Sequence, residues 1–114
     1  MSAGPYVPQR GDLVWIDFDP QVGHEQAGRR PALVLSPGSY NGETHRGLFC
    51  PITSKVKGYA YEVRVTGATR VSGVVLADQV KNLDWSKQNA AFIERSSPEL
   101  IEDVVARLVT LTEF

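Results

Sequence analysis

The chain has 114 residues and a mass of 12.5 kDa, a size typical of one domain rather than two. Hydrophobic residues make up 42% and charged residues 22%, which argues against intrinsic disorder. The net charge of −1 excludes a polycation that coats nucleic acid without specificity, although a local basic groove stays open. No apolar run approaches the roughly 20 residues of a membrane helix, and the N-terminus has no hydrophobic signal core. We therefore expect a cytoplasmic protein without membrane contact.

The first third of the chain carries two strand patterns separated by a long polar loop. Residues 12–18 are rich in β-branched and aromatic residues and predict a strand. Residues 21–30 are polar and contain two glycines, which is typical of a functional or mobile loop rather than a tight hairpin. Residues 31–36 predict the second strand, because a proline at the first position removes only one ladder donor.

Turn signals and further strand patterns follow up to residue 95. Dense turn chemistry at 37–42 precedes a third strand at 47–53, in which Pro51 indicates a sheet edge or a bulge. A basic turn occupies residues 54–58. The remaining strands are predicted at 61–65, 73–80 and 90–95.

The C-terminal segment has the pattern of an amphipathic helix. Ser97 is a good N-cap, and Pro98 and Glu99 suit the first turn. Apolar residues then recur at three- and four-residue spacing, at Leu100, Ile101, Val104, Val105 and Leu108. Short, regularly spaced strands with one terminal helix predict a mainly β (α+β) fold, a small antiparallel barrel or curled sheet. Because no linker or repeat is visible, residues 1–114 are predicted to form a single domain.

Several classes of catalytic site lack their motifs. The sequence has no glycine-rich phosphate loop and no Gly-x-Ser-x-Gly nucleophile elbow. His24 and His45 stand alone, without the spacing of zinc ligands, so we expect no metal and no cofactor. Cys50 lies in an apolar stretch without a flanking His, which predicts a buried thiol rather than a catalytic thiolate.

Basic and hydroxyl residues are placed at predicted strand ends and in loops. Arg29 and Arg30 end the long loop, Thr53 ends the third strand, and Lys55 and Lys57 follow in the next turn. Guanidinium and ammonium groups in such positions can hold a phosphodiester. The residue types alone leave two interpretations open, a small β domain that binds a single strand and a set of solvated surface charges.

Aromatic residues carry the same ambiguity. Tyr59, Tyr61 and Trp85 could stack on the bases of a single strand, or could belong to the core or to an interface. Trp15 and Phe18 are predicted to be core residues rather than contacts of a nucleic acid.

Ordered residue strings in this sequence resemble the MazF/PemK family of toxins. They cover the stretch from residue 6 to about residue 85 densely and the C-terminal helix loosely, at 6–8, 11–20, 23–36, 40–41, 50–54, 57–59, 62–63 and 73–81. The resemblance implies a small SH3-like barrel and a sequence-specific, metal-independent endoribonuclease of a toxin–antitoxin pair. It also implies a homodimer that cleaves single-stranded RNA, usually messenger RNA, and that is silenced by a partner antitoxin.

The resemblance also implies the site residues. The family's catalytic arginine falls on Arg30, in the string 28–31, and its catalytic threonine falls on Thr53, in the string 51–54. Two residues depart from the family pattern, Arg29, which precedes Arg30, and His24. These departures bear on the RNA sequence recognised more than on membership of the family. Positions associated with the RNA groove or its support in the family fall on Glu25, Gln26, Lys57, Asp78 and Gln79. Arg29 and Lys55 are added as expected RNA contacts because of their charge and their place beside these residues.

Metal-independent cleavage requires the 2′-OH to attack the adjacent phosphorus in line, which leaves a 2′,3′-cyclic phosphate and a 5′-OH. We expect Arg30 to stabilise charge on the phosphorane-like transition state and Thr53 to orient the phosphate. An arginine with a pKa above about 12 is a poor base at neutral pH, so Glu25 or His24 is the alternative base.

Three other interpretations stay open at this stage. Arg30 could pair with Asp17 or Asp78 on the rim of the barrel, and Thr53 could be an ordinary strand residue. The whole domain could also be a non-enzymatic binding module of the gyrase-poison type. The C-terminal residues 110–114 lack the Trp-Gly ending associated with that group.

Overall fold

The fold was obtained as a computed structural model, which describes residues 6–18 and 28–113. In these ranges the strands are β1 (Asp12–Phe18), β2 (Gly28–Val34), β3 (Arg46–Thr53), β4 (Glu62–Arg64), β5 (Val74–Leu76), β6 (Lys81–Asp84) and β7 (Ala91–Arg95). The helices are α1 (Gly38–Thr44) and α2 (Pro98–Thr110), and a single 3-10 turn spans Ala77–Gln79. No helix in the described part of the chain is long and apolar enough to cross a membrane.

The strands pair antiparallel in the order β4-β5-β3-β2-β1-β7, and β6 pairs with β3. Among the described strands, no ladder joins β4 to β7, so the sheet is open rather than fully closed. The predicted mainly β fold with a C-terminal helix is confirmed.

Strand β3 has two partners on one side and one on the other. Its first half pairs with β6, its last two residues pair with β5, and β2 runs along the opposite side. Pro51 lies at the gap between the β6 and β5 ladders, where a missing N–H disturbs pairing least. The strand is therefore central, and the expected edge position of Pro51 is wrong.

Alternation along the strands divides the core into two clusters. Leu13, Leu33 and Cys50 pack with α2 on one side of the sheet, and Val14 and Phe18 belong to the other cluster. The predictions for Cys50 and Phe18 are confirmed, since both side chains are buried.

The prediction that Trp15 is a core residue is wrong. Its side chain is 43% exposed, and its cross-strand partners are Pro31 and Ala91. These small side chains cannot cover an indole ring. Trp85, in contrast, is buried, and its Nε1 donates a hydrogen bond to the Asn41 carbonyl at 3.0 Å, which makes it a core residue.

Residues 37–42 were predicted to form turns, but most of this segment belongs to helix α1. Asn41 is fully buried in α1, where its Oδ1 accepts a hydrogen bond from the Ser36 hydroxyl at 2.6 Å. Its Nδ2 donates to the carbonyls of Pro8 at 2.7 Å and Ser36 at 3.0 Å. These long-range bonds fix a helix that glycine-rich local sequence does not favour.

Strands after residue 60 are shorter than predicted. The segment 61–65 is a strand only over Glu62–Arg64, and the segment 73–80 divides into β5 and the 3-10 turn. Strand β6 was not predicted, and the last strand begins at Ala91.

Helix α2 confirms the C-terminal prediction. The Ser97 hydroxyl accepts a hydrogen bond from the Leu100 N–H at 3.3 Å, and Pro98 occupies the first position. Leu100 and Val104 are buried against the sheet. Val105, which the spacing assigned to the packed side, is 41% exposed.

Candidate active site

A cleft of about 960 Å³ opens where β2 begins, β3 ends and the segment 54–61 follows. It collects every predicted site residue that the structure describes. These residues are Arg29, Arg30, Thr53, Lys55, Lys57, Asp78 and Gln79. Glu25, Gln26 and His24 lie outside the described residues.

Strands β2 and β3 bring Arg30 and Thr53 to the same cleft. The β2–β3 ladder pairs Leu33 with Cys50 and Ala32 with Pro51, and it ends there. Arg30 lies two residues before Ala32 and Thr53 two residues after Pro51, so a continuation of this antiparallel register would set them opposite each other on one side of the sheet. Arg30 is half-buried, Thr53 is buried, and both line the cleft.

The backbone around Thr53 orients its hydroxyl. The Thr53 Oγ1 accepts a hydrogen bond from the Lys55 N–H at 3.1 Å, which closes a local turn at the end of β3. This bond uses a lone pair of the oxygen and leaves the hydroxyl proton for donation. Thr53 can therefore donate a hydrogen bond to a phosphate oxygen while its own position stays fixed.

Gly73 packs directly against the Thr53 backbone. Its φ is +113°, and a Cβ built on it would overlap the Thr53 carbonyl oxygen. The next residue, Val74, pairs with Thr53 across the β3–β5 ladder. Glycine suits this position, because a side chain would have to displace either the Thr53 backbone or residue 73 itself.

Asp17, which the sequence offered as a partner for Arg30, forms an ion pair with Arg29. The Arg29 Nη1 donates to Asp17 Oδ1 at 3.1 Å and to the Asn89 carbonyl at 2.9 Å. Asn89 also donates from Nδ2 to Asp17 Oδ2 at 2.8 Å. Hydrogen bonds hold the pKa of the Asp17 carboxyl below its usual range. The bond from Asn89 contributes most to this shift, and the bond from Arg29 contributes next. Arg29 is thereby tied to β1.

The segment between β3 and β4 is held by a carboxylate that the sequence pattern did not single out. Glu62 accepts hydrogen bonds from the backbone N–H groups of Lys57 at 3.1 Å, Gly58 at 2.9 Å and Tyr59 at 3.3 Å. The sequence placed Glu62 in an alternating strand and in a string that resembles the family, without assigning it a role in the site. Its position shortly after a glycine-containing basic turn is the signal that could have indicated this role.

Asp78 lies in the cleft with one oxygen bonded and one unbonded. The Tyr59 hydroxyl donates to its Oδ2, and this bond is the main cause that raises the pKa of Tyr59. The other oxygen, Oδ1, is buried and accepts no hydrogen bond from any described residue. A buried carboxylate oxygen without a partner is costly, so the described residues leave one polar atom unsatisfied beside the cleft.

Cys50 is chemically inert at this position. Burial, and secondarily the charge of Asp78, raise the pKa of its thiol to about 12.

In residues 6–18 and 28–113, no group of three or more His, Cys, Asp and Glu side chains could hold a metal ion.

Residues 9–112 match the family model described as PemK-like, MazF-like toxin of type II toxin-antitoxin system. The chain belongs to this family. It is 47% identical over 106 residues to the endoribonuclease toxin MazF of Escherichia coli (strain K12), which covers 93% of this chain and 95% of that protein. Endoribonuclease PemK of Escherichia coli is 32% identical over 108 residues, covering 90% of this chain and 80% of PemK.

Solved structures of the MazF/PemK family show the same fold. A crystal structure of MazF (Form-I) from Deinococcus radiodurans is 48% identical, with a TM-score of 0.90, and covers 95% of this chain and 98% of that chain. A crystal structure of MazE–MazF (Form-II) from Deinococcus radiodurans has a TM-score of 0.84 at 48% identity, with 95% and 97% covered. The similarity extends over nearly the whole chain and includes the strands that carry Arg30 and Thr53.

Proposed function

We propose that this chain is the toxin of a type II toxin–antitoxin pair and that it cleaves single-stranded RNA as a sequence-specific endoribonuclease. The similarity to proteins named endoribonucleases supports the activity. The observation that supports the proposal for the site is that Arg30 and Thr53 line one cleft together with Lys55 and Lys57. Such a set of cations and hydroxyls suits a phosphodiester.

The chemistry that fits this set is transesterification without a metal. The 2′-oxygen forms a bond to the adjacent phosphorus, and the bond from phosphorus to O5′ breaks. The products are a 2′,3′-cyclic phosphate and a 5′-OH. Arg30 stabilises the negative charge that develops on the phosphate oxygens, because its fork of N–H donors matches them. Thr53 donates a hydrogen bond from its hydroxyl to one of these oxygens and so fixes the orientation of the phosphate.

Two proton transfers accompany the reaction, and two acceptors are candidates for the first. The 2′-OH must lose a proton, and O5′ must gain one, which the protonated base or water can supply. Glu25 and His24, both in the polar loop, are the candidate bases. A pH–rate profile separates them, since a base that is His24 gives an inflection between about pH 5 and 8, and a carboxylate gives one at lower pH.

The same proposal includes the partners and the place of action. The structures of MazE–MazF from Deinococcus radiodurans support an antitoxin as the protein partner. We further propose a homodimer that acts in the cytoplasm, with an RNA cleft in each copy. The alternative, a non-enzymatic module of the gyrase-poison type, is not supported, because the relatives described above are named endoribonucleases.

A cleavage assay in EDTA tests the function. The purified chain is incubated with a long labelled RNA, and the 5′ ends of the products are mapped. We expect cuts at one short sequence, with 5′-OH and cyclic phosphate ends. Arg30→Ala should lower the rate about 100- to 1,000-fold, as loss of one preorganised donor does. Arg64→Ala, which removes an exposed arginine of β4 outside the cleft, is the matched control. Cleavage that requires a divalent ion, or an unchanged rate in Arg30→Ala, would contradict the mechanism.

A further inference from the structure

Tyr59 is an aromatic residue that is both exposed and fixed. Its side chain is 49% exposed and lines the cleft. The hydroxyl at one end of the side chain donates to Asp78 Oδ2, and the backbone N–H at the other end donates to Glu62 Oε1 at 3.3 Å. An exposed side chain on a loop ordinarily rotates freely, so holding both ends removes that freedom and keeps one ring face toward the cleft.

A second aromatic ring supports the first. The centroid of the Tyr61 ring lies 5.6 Å from that of Tyr59, with the ring planes tilted by 54°. Tyr61 is half-buried and is not among the residues that line the cleft, so its ring contacts Tyr59 from outside the cleft. Tyr59 therefore presents an exposed aromatic ring in a cleft that four cationic side chains also line.

Cations beside a flat aromatic surface are the combination found in sites for single-stranded nucleic acid. Lys55, Lys57, Arg29 and Arg30 line the same cleft and can follow a phosphate backbone. Nucleobases stack on aromatic rings beside such a groove, and this stacking tolerates any base because each has a π-face.

We propose that the exposed ring of Tyr59 is the platform on which one nucleobase of the bound RNA stacks, next to the phosphate held by Arg30 and Thr53. Glu62 and Asp78 are positioning residues that hold this platform in place before RNA arrives. The inference rests on the proposed function, and it assigns to Tyr59 a contribution to affinity rather than to the choice of sequence.

The test uses an RNA oligonucleotide that spans the mapped cleavage site. A 2′-deoxy substitution at the attacking nucleotide makes it uncleavable, and 2-aminopurine replaces one base at a time. We expect the fluorescence of one position to be quenched in the complex with the wild-type chain. In Tyr59→Leu the quenching at that position should be lost, and the affinity should fall roughly 5- to 150-fold, the range for loss of one stacked base. Tyr59→Phe keeps the ring and should retain most of the quenching.

Two controls separate stacking from general damage. Phe92→Leu removes an aromatic ring of β7 that is 50% exposed but lies outside the cleft, so affinity and quenching should not change. Glu62→Ala releases the three N–H groups of residues 57–59, so their amide hydrogens should exchange faster and quenching should weaken. A purely structural role for Glu62 would change stability without altering quenching.

The outcomes are distinguishable. Unchanged affinity and unchanged fluorescence in Tyr59→Leu, with a wild-type chain that cleaves RNA, would overturn the platform and leave the proposed function intact. Loss of antitoxin binding in Tyr59→Leu with full RNA affinity would also overturn it, because the ring would then serve the protein partner. A wild-type chain that neither cleaves nor binds RNA would overturn the proposed function together with the inference.

Discussion

Replacing Gly73 by alanine should displace Thr53 and destabilise the fold. The φ of +113° lies outside the left-handed region near +50° to +70° that other residues reach, and even that region costs about 1–2 kcal/mol. The new Cβ would also overlap the carbonyl of Thr53, and overpacking of this kind costs about 1–3 kcal/mol. We therefore expect Gly73→Ala to lower the free energy of unfolding by about 2–5 kcal/mol.

Gly58→Ala is the matched control for the steric part of this effect. Gly58 also has a positive φ, of +79°, but a Cβ added there would meet no heavy atom within 4 Å. Only the backbone strain of about 1–2 kcal/mol should then reduce the stability. Thermal unfolding followed by circular dichroism measures both, with about 4 °C of Tm for each kcal/mol in a domain of this size.

The cleavage rate adds a second measurement for Gly73→Ala. If the Cβ moves Thr53 by a fraction of an ångström or more, the rate should fall by up to about a hundredfold at temperatures where the variant is folded. Equal stability losses in Gly73→Ala and Gly58→Ala would refute the steric reasoning. A destabilised Gly73→Ala that cleaves RNA at the wild-type rate would refute the link to Thr53.

The remaining predictions concern Cys50 and Glu94. With a thiol pKa of about 12 and complete burial, Cys50 should resist iodoacetamide at about pH 8 and react fully after denaturation; complete labelling of the native chain would show that the thiol is accessible. Glu94 accepts hydrogen bonds from the backbone N–H groups of Thr69, Arg70 and Val71, and the Thr69 bond is the largest cause that lowers its pKa. Because the folded pKa is lowered, its contribution to stability is present above the ordinary carboxyl pKa and is lost as the pH falls through the folded value. The stability difference between wild type and Glu94→Gln should therefore shrink from about pH 7 toward pH 3 in urea unfolding, and a difference that grows on acidification would contradict this sign.

Local signals predicted the elements that local chemistry determines. The start of helix α2 was predicted correctly because it depends on neighbouring residues alone. The Ser97 hydroxyl caps the helix through the N–H of Leu100, three residues later, and Pro98 is the first helical residue. Helix α1 was missed because its stability depends on Asn41, whose buried Nδ2 donates to the carbonyl of Pro8, a residue distant in the chain. Strand β6 was missed for a related reason, since its four residues are strand only through pairing with β3.

The site divides in the same way. Arg30 and Thr53 were indicated by resemblance. The cleft that they share depends on the pairing of β2 with β3, which a sequence pattern does not display. Glu62 was missed because its carboxylate binds backbone N–H groups, which leave no trace in side-chain composition. Trp15 was placed in the core by its hydrophobicity, although its exposure depends on the small size of its cross-strand neighbours.

The register that joins β2 to β3 limits how this scaffold can vary. A one-residue insertion inside either strand would turn the following side chains to the opposite face and separate the guanidinium from the hydroxyl. Insertions between β3 and β4 leave that register untouched, because the ladder ends at the Ala32–Pro51 pair and β4 is joined to the sheet through β5. The connection between β3 and β4 can therefore change in length beyond Lys55 without moving the two strands that carry Arg30 and Thr53.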